Sequence, residues 1–168
     1  MLFSSLVLLA LGHLGAFYMV HPNSQANAKL VERDGTIYHH FKDRSTNSTI
    51  EVVKNSGICE TTPGVNIYSG YLSIGEGINM WFWFFEVRNN PETTLLAAWF
   101  NGGMIGLLQE NGPCKFYNGS HELELDPYSC NEYANMLYID QPIGFGFSYS
   151  IDTVVPTDTA LKYVWKLI

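Results

Sequence analysis

The chain has 168 residues, of which 16 are acidic and 9 are Lys or Arg, so its formal net charge at pH 7 is −7. Hydrophobic residues make up 46% of the chain and charged residues only 15%, whereas ordinary soluble domains carry roughly 25% charged residues. This composition argues against intrinsic disorder, and the lack of a Lys/Arg cluster argues against nucleic acid as a partner.

The first residues form an apolar stretch. Residues 1–20 contain no acidic, Lys or Arg side chain, and the polar residues that follow end in the small-x-small pattern of Ala26 and Ala28. This pattern predicts a signal peptide over residues 1–28, and therefore the secretory pathway, with an extracellular or vacuolar destination. An uncleaved anchor is the alternative, because about 20 apolar residues can span a bilayer. His13 and the glycines around it favour cleavage, which would leave no stable membrane anchor.

Residues 29–56 are polar, mixed in charge and weakly periodic, so we expect a loose N-terminal segment. The His39-His40 pair has no Cys or carboxylate at zinc-ligand spacing, so a solvent-exposed loop is expected there rather than a metal site. Asn47 and Asn118 each begin an Asn-x-Ser/Thr motif, which predicts glycosylation in surface loops of a secreted protein.

The pattern changes at the start of the predicted domain, residues 57–168. Residues 67–73 and 78–87 are rich in aromatic side chains and flank a short glycine-containing turn, which predicts a β-hairpin. Residues 95–100 and 136–139 are unbroken apolar runs, each followed by a glycine-rich turn, as in strands that are buried on both faces of an α/β sheet. Ligands of such sheets bind beyond the carboxyl ends of the strands, so the two turns mark the expected site.

The last residues have helical spacing. Asp158 or Thr159 could cap a helix whose apolar face carries Leu161, Val164, Trp165 and Ile168. The sequence stops without a C-cap, and an α/β sheet needs several crossover units, so we expect a truncated fold.

The chain contains three cysteines, Cys59, Cys114 and Cys130. In an oxidising compartment an odd number leaves one thiol without an internal partner. That thiol is either a buried free cysteine or one whose partner lies on residues outside this sequence.

Five motifs occur in a fixed order between Cys59 and Tyr149. They are CETTPGV with YSGY at residues 59–71, WFWFFE at 81–86, WFNGG at 99–103, ENGP at 110–113, and NMLYIDQPIG with FSY at 135–149. This series resembles the serine carboxypeptidase family, secreted or vacuolar enzymes of the α/β-hydrolase fold that remove C-terminal amino acids from peptides. The resemblance implies a partial α/β-hydrolase fold consisting of an N-terminal hairpin and the first strands of the central mixed sheet.

The resemblance also implies roles for particular residues. Gly103 would supply a backbone N–H to an oxyanion hole, where donors are aimed at developing charge. A carboxylic acid that binds a carboxylate has to share a proton with it. Neither a cofactor nor a metal is implied. The positions that would line the pocket for the terminal carboxylate of a peptide are Trp99, Asn101, Gly102 and Glu110.

Three departures from the family pattern bear on activity. The Pro-Gly-Cys-Ser-Ser stretch that family members carry after the Asn-Gly-Gly motif is missing after Gly103, and Cys130 stands where the family has tryptophan. The Gly-x-Ser-x-Gly nucleophile elbow occurs nowhere in the sequence, and Ser148 belongs to the family's earlier, structural stretch. No Ser-Asp-His triad can be drawn, so no catalytic residue is assigned.

Three functional hypotheses follow. The first is an N-terminal portion of a secreted serine carboxypeptidase that is inactive by itself. The second is a non-catalytic secreted protein that binds peptide C-termini or a protein partner. The third, an esterase that uses Ser148, is the least favoured.

Overall fold

In the part of the chain that the structure describes, ten strands carry most of the regular structure. The computed structural model describes residues 28–42, 47–100, 102–151 and 163. Short 3-10 turns lie at Gly102–Met104 and Cys130–Glu132, and a π-helical turn lies at Gly106–Glu110. The strands are β1 (Lys29–Arg33), β2 (Thr36–Lys42), β3 (Thr49–Lys54), β4 (Ile67–Gly75), β5 (Ile78–Phe85), β6 (Leu96–Trp99), β7 (Cys114–Lys115), β8 (Glu124–Leu125), β9 (Asn135–Ile139) and β10 (Tyr149–Ser150).

One mixed sheet has the strand order β1-β2-β3-β4-β5-β9-β6, with β10 paired to the start of β5. The predicted hairpin is confirmed, since β4 and β5 pair antiparallel around a turn at Glu76 and Gly77. Strands β6 and β9 pair in parallel, so their carboxyl ends meet at the same edge of the sheet. This largely β structure is compatible with a partial α/β fold. The helix expected within residues 154–168 lies outside the described residues, apart from Tyr163.

The N-terminal segment is structured where we expected it to be loose. Residues 29–54 include β1, β2 and β3, which extend the sheet from β4 by antiparallel pairing. Asp34 and Gly35 both have positive φ, 51° and 76°, as in the two-residue turns that match strand twist. The Asp-Gly pair was therefore the available sequence signal. His39 and His40 lie half-buried in β2, not in an exposed loop.

The core packs on both faces of the sheet. Trp83 and Phe85 of β5 join one buried cluster, whereas Met80 of the same strand joins another, because alternate residues of a strand point to opposite faces. Burial of β9 on both faces is confirmed, since Tyr138 and Ile139 are 2% and 1% exposed. Burial of β6 is not, since Leu96 is 42% exposed; among the described strands, β6 lies at the end of the sheet order.

A disulfide joins Cys59 to Cys114, with a Cα–Cα distance of 5.1 Å. Both cysteines are buried in the cluster around Trp83 and Phe85, so the bond ties β7 to the segment that precedes β4. Cys130 is a free, half-buried cysteine. Its burial raises the pKa of the thiol, with Asp126 adding to that rise and Lys115 opposing it.

A buried ion pair closes the edge of the sheet where β5 ends and β9 begins. The Arg88 Nε donates to Glu60 Oε2 at 2.9 Å, and the two side chains are 8% and 0% exposed. Arg88 also donates to a Glu132 carboxylate oxygen and, at 3.0 Å, to the Asp126 backbone carbonyl. Asn131 Nδ2 donates to the same Glu60 oxygen at 2.7 Å. Buried charges require such partners, because desolvation is otherwise too unfavourable.

The carboxylate of Glu60 in this ion pair and the nearby carboxylate of Asp126 both have lowered pKa values. Burial by itself raises the pKa of Glu60, but hydrogen bonds from Thr62 and Asn131 and the charge of Arg88 outweigh it. Burial also raises the pKa of Asp126, but the ammonium group of Lys115, whose Nζ lies 2.5 Å from Asp126 Oδ2, outweighs burial and lowers that pKa.

Acid is therefore expected to destabilise the fold. Both folded-state pKa values lie below the ordinary values of 4.5 for Glu60 and 3.8 for Asp126, so their contribution to stability is complete above about pH 5. It is lost as the pH falls through and below those ordinary values, since the unfolded chain then binds protons more readily. We expect the Tm to fall between pH 6 and pH 3. A Glu60→Gln/Asp126→Asn variant should show a shallower fall, and an equal fall would contradict this assignment.

Candidate functional site

The two glycine-rich turns that the sequence singled out lie side by side. Trp99 ends β6 and pairs with Tyr138 of β9, so the turns that follow these strands leave the sheet at the same edge. A Cβ at Gly102 would lie 2.9 Å from the Gln141 carbonyl oxygen, so this close approach requires glycine. The edge formed by these turns is the candidate site.

Trp99 and Glu110 meet at this edge. The indole Nε1 of Trp99 donates a hydrogen bond to Glu110 Oε2 at 3.2 Å. Trp99 is half-buried and packs against the core cluster of Trp83 and Phe85, whereas Glu110 is exposed. The core thus fixes the indole, and the indole orients a carboxyl group that solvent or a ligand can reach.

The backbone that leads to Glu110 contains a π-helical turn and a residue with positive φ. Glu110 ends the π-helical turn, and the Asn111 N–H closes it on the Gly106 carbonyl at 3.0 Å. Immediately before the turn, the buried Met104 has φ 60°, a left-handed conformation that is unfavourable for a side chain of this kind. This strained link lies where the sequence lacks the Pro-Gly-Cys-Ser-Ser stretch of the family.

Tyr138 contacts the residue that closes this turn. Its hydroxyl donates to Asn111 at the side-chain oxygen, 3.0 Å away, and lies 3.2 Å from the backbone carbonyl of that residue. Burial, with Cys130 and Glu110 nearby, raises the pKa of Tyr138, so the hydroxyl remains a donor. Strand β9 therefore provides, through Tyr138, a polar contact to the residue that follows Glu110.

The structure brings together four of the five residues that the sequence assigned to the site. Trp99 and Glu110 are in contact, and Gly102 and Gly103 lie in the 3-10 turn at the same edge. Asn101 lies outside the described residues.

Sequence reasoning missed Asp140, which follows β9. It is fully buried, accepts hydrogen bonds from the Phe147 N–H at 2.5 Å and the Ser148 N–H at 3.3 Å, and its own N–H donates to the Trp81 carbonyl. Gly146 has φ 56°, and a Cβ there would lie 2.2 Å from Asp140 Oδ2. Asp140 therefore holds the second glycine-rich turn against the sheet. Its signal was an acidic residue placed directly after a buried strand.

Ser148 has a structural role. Its side chain is buried, its hydroxyl donates to the Asp140 carbonyl at 2.5 Å, and it accepts from the Trp81 N–H at 2.8 Å. A buried serine whose hydroxyl is bonded on both sides to backbone groups has no base beside it in these contacts, which argues against the esterase hypothesis.

The described part of the chain offers no cluster of three or more His, Cys, Asp or Glu side chains that could hold a metal ion. Within the same residues, no helix is long and apolar enough to cross a membrane.

Comparison of the sequence with known proteins identifies the family to which the chain belongs. Ligands of open α/β sheets bind beyond the carboxyl ends of parallel strands, which is where the glycine-rich turns and the Trp99–Glu110 pair lie. The family profile described as Serine carboxypeptidase matches residues 57–165, well over half of the sequence. The chain belongs to the serine carboxypeptidase family.

Curated relatives agree with this assignment. Carboxypeptidase S1 of Penicillium janthinellum is 67% identical over 121 residues, which cover 69% of this chain and 29% of that protein. Carboxypeptidase S1 homolog A of Arthroderma otae is 45% identical over 61% of this chain and 18% of its own length. Carboxypeptidase Y of Schizosaccharomyces pombe is 38% identical over 62% and 11%. The chain thus spans less than a third of each of these relatives.

Proposed function

We propose that this chain forms the substrate-carboxylate side of a secreted serine-type carboxypeptidase with an α/β-hydrolase fold. Trp99, Asn101, Gly102 and Glu110 would bind the carboxylate of a peptide C-terminus. Gly103 would donate its N–H to the oxyanion. The observation that carries the proposal is the hydrogen bond from Trp99 to Glu110 at the edge where β6 and β9 end.

The chemistry of this pair suits a carboxylate ligand. Trp99 can only donate, and it orients a Glu110 carboxyl group that is exposed at this edge of the sheet. Two carboxylates at hydrogen-bond distance repel one another unless they share a proton. Binding should therefore be accompanied by proton uptake.

Hydrolysis requires more than the present sequence supplies. It contains no Gly-x-Ser-x-Gly elbow, and Ser148 is engaged on both sides. We propose that the 168 residues are an N-terminal portion of the enzyme, and that they bind peptide C-termini without cleaving them. The alternative is a non-catalytic secreted protein that binds peptide C-termini or a protein partner.

The proposal places the protein in the secretory pathway. Asn47 and Asn118 are both exposed, as glycosylation acceptors must be. Residues 1–28 would be removed as a signal peptide, which leaves Ala28 as the last residue of the leader. We propose that both asparagines carry glycans in the mature protein.

Peptide binding tests the proposed site. A peptide with a free C-terminus should bind more weakly as the pH rises from 4 to 7, because the shared proton is lost. The Glu110→Gln variant should bind the peptide with little pH dependence, because the amide N–H of Gln can donate to the peptide carboxylate at pH 4 and at pH 7 alike. Trp99→Phe should weaken binding about 10-fold at pH 4, since it removes the donor that orients Glu110. Fluorescence anisotropy of a labelled peptide measures both effects.

Two comparisons make this experiment specific. Glu92→Gln changes an exposed carboxylate before β6, at the opposite end of that strand, and should leave the pH profile unaltered. The same peptide with an amidated C-terminus should not bind. Equal binding of the amide and the free acid would contradict a carboxylate site.

A further inference from the structure

Two aromatic side chains at the candidate site lie next to each other in the sheet. Trp99 and Tyr138 are register partners on the parallel strands β6 and β9, so their side chains share one face of the sheet. Tyr138 is 2% exposed and belongs to the core cluster that contains Phe85, and Trp99 packs against the same cluster. The core therefore fixes the positions of both rings.

Each ring donates a hydrogen bond to the end of the π-helical turn. Trp99 Nε1 donates to Glu110 Oε2 at 3.2 Å. The Tyr138 hydroxyl donates to Asn111 Oδ1, which is 3.0 Å away. Glu110 and Asn111 are consecutive, so side chains from two neighbouring strands bind two successive residues of one turn.

The backbone of this turn is closely packed, whereas the side chain that it carries is exposed. The Asn111 N–H donates to the Gly106 carbonyl at 3.0 Å, and a Cβ at Gly112 would lie 1.9 Å from a carbonyl oxygen of the turn. Ordering the exposed Glu110 side chain costs conformational entropy. The contact of Glu110 with Trp99 therefore depends on a backbone that is already in place.

The hydroxyl of Tyr138 is what ties this backbone to the sheet. Burial raises the pKa of Tyr138, so the hydroxyl keeps its proton and can donate. A phenylalanine would fill the same space in the core but could not bind Asn111. The hydroxyl thus adds a polar contact with the turn to the packing that any aromatic ring would provide.

We propose that Tyr138 is a positioning residue: through Asn111 it fixes the end of the π-helical turn, and so places Glu110 where the Trp99 indole binds it. The inference rests on the proposed function for the ligand that Glu110 binds. The orientation of Glu110 by Tyr138 can be measured without that ligand.

The indole of Trp99 reports on this orientation directly. In a Tyr138→Phe variant the ring is kept and only the hydroxyl is lost. The Nε1–H resonance of Trp99 should then move upfield and its proton should exchange faster with water, because the hydrogen bond to Glu110 is weakened. NMR spectra of protein with isotope-labelled tryptophan measure both effects, and Trp99→Phe identifies the resonance. The indole resonances of the other tryptophans should not move.

A second variant serves if Tyr138→Phe does not fold. Asn111 is only half-buried, so Asn111→Ala disturbs the core less, and it removes the side-chain oxygen that the Tyr138 hydroxyl binds. It should shift the Trp99 resonance in the same direction. A resonance that stays in place in every folded variant of this pair would overturn the inference.

Peptide binding shows whether the orientation of Glu110 matters for recognition. At pH 4, Tyr138→Phe should weaken binding of the labelled free-acid peptide about 5-fold, since a hydrogen bond that orients Glu110 is lost. In a Trp99→Phe background the same substitution should have no further effect, because Glu110 has already lost its orientation. Fully additive losses in the double variant would contradict a role of Tyr138 that acts through Glu110.

Tyr68→Phe is the matched control. The Tyr68 hydroxyl is also buried in the sheet, but it has no hydrogen-bond partner among the described residues. Its removal should change neither the Trp99 resonance nor peptide binding, and an effect equal to that of Tyr138→Phe would contradict the inference. If the resonance moves in Tyr138→Phe but the unaltered chain does not bind the peptide, the proposed function fails and the positioning of Glu110 by Tyr138 stands.

Discussion

Replacing Arg88 with methionine is expected to lower the free energy of unfolding by about 3–5 kcal/mol. The guanidinium holds Glu60, whose side chain is fully buried, and also binds Glu132 and the Asp126 carbonyl. Methionine fills a similar volume but leaves the Glu60 charge without its cation, and a buried unpaired charge is strongly destabilising. Urea unfolding followed by tryptophan fluorescence measures the change.

Two further variants separate charge from packing at this position. Arg88→Met combined with Glu60→Gln should recover part of the loss, because the uncompensated charge is gone. Arg33→Met removes the exposed partner of Glu51 and should have no measurable effect, since exposed ion pairs contribute little. If Arg33→Met and Arg88→Met proved equally mild, burial of the Arg88–Glu60 pair would not be what stabilises this edge.

Removing the disulfide is expected to lower the free energy of unfolding by an amount similar to that of Arg88→Met. The Cys59→Ala/Cys114→Ala variant opens a loop whose ends are 55 residues apart, which corresponds to about 4 kcal/mol of unfolding free energy on the chain-entropy model. Alanine is used because both cysteines are buried and a serine hydroxyl there would need a partner. Thermal unfolding under non-reducing conditions, compared with the unaltered chain, measures the loss.

Cys130 provides the matched control for this experiment. Cys130→Ala removes a half-buried thiol that is not in a disulfide, so it should change the Tm much less than the double variant. Adding a reductant to the unaltered chain should reproduce the effect of the double variant. A reductant effect that persisted in Cys59→Ala/Cys114→Ala would show that an intermolecular disulfide through Cys130 is responsible.

Most of the strands that the sequence predicted bury apolar side chains continuously, whereas β6 was predicted from its apolar run although Leu96 is 42% exposed. β4, β5 and β9 were recognisable because their aromatic and aliphatic runs pack on the core clusters. β1 to β3 escaped prediction because they are largely half-exposed and polar, and they are stabilised by pairing with one another and with β4. Strand pairing of this kind is a tertiary effect that local composition does not record.

The site was predictable in part for a similar reason. Trp99 and Glu110 came from motif resemblance, and their contact spans only 11 positions. Asp140 was missed because its importance depends on how close Gly146 approaches it, which only the folded turn defines. The Arg88–Glu60 pair joins residues 28 positions apart, and nothing in the sequence indicated which carboxylate Arg88 would bind.

The ion pair and the two glycine-rich turns lie at opposite ends of β9. Asn135 opens that strand beside Val87 and the ion pair, whereas Asp140 follows its far end beside Trp81. Substitutions at well-separated positions usually have additive effects on stability. Substitutions in these two turns could therefore accumulate with little effect on the stability that the ion pair provides, and the ion-pair region could be stabilised without altering the turns. In a lineage of related enzymes, this separation would let specificity diversify on a conserved frame.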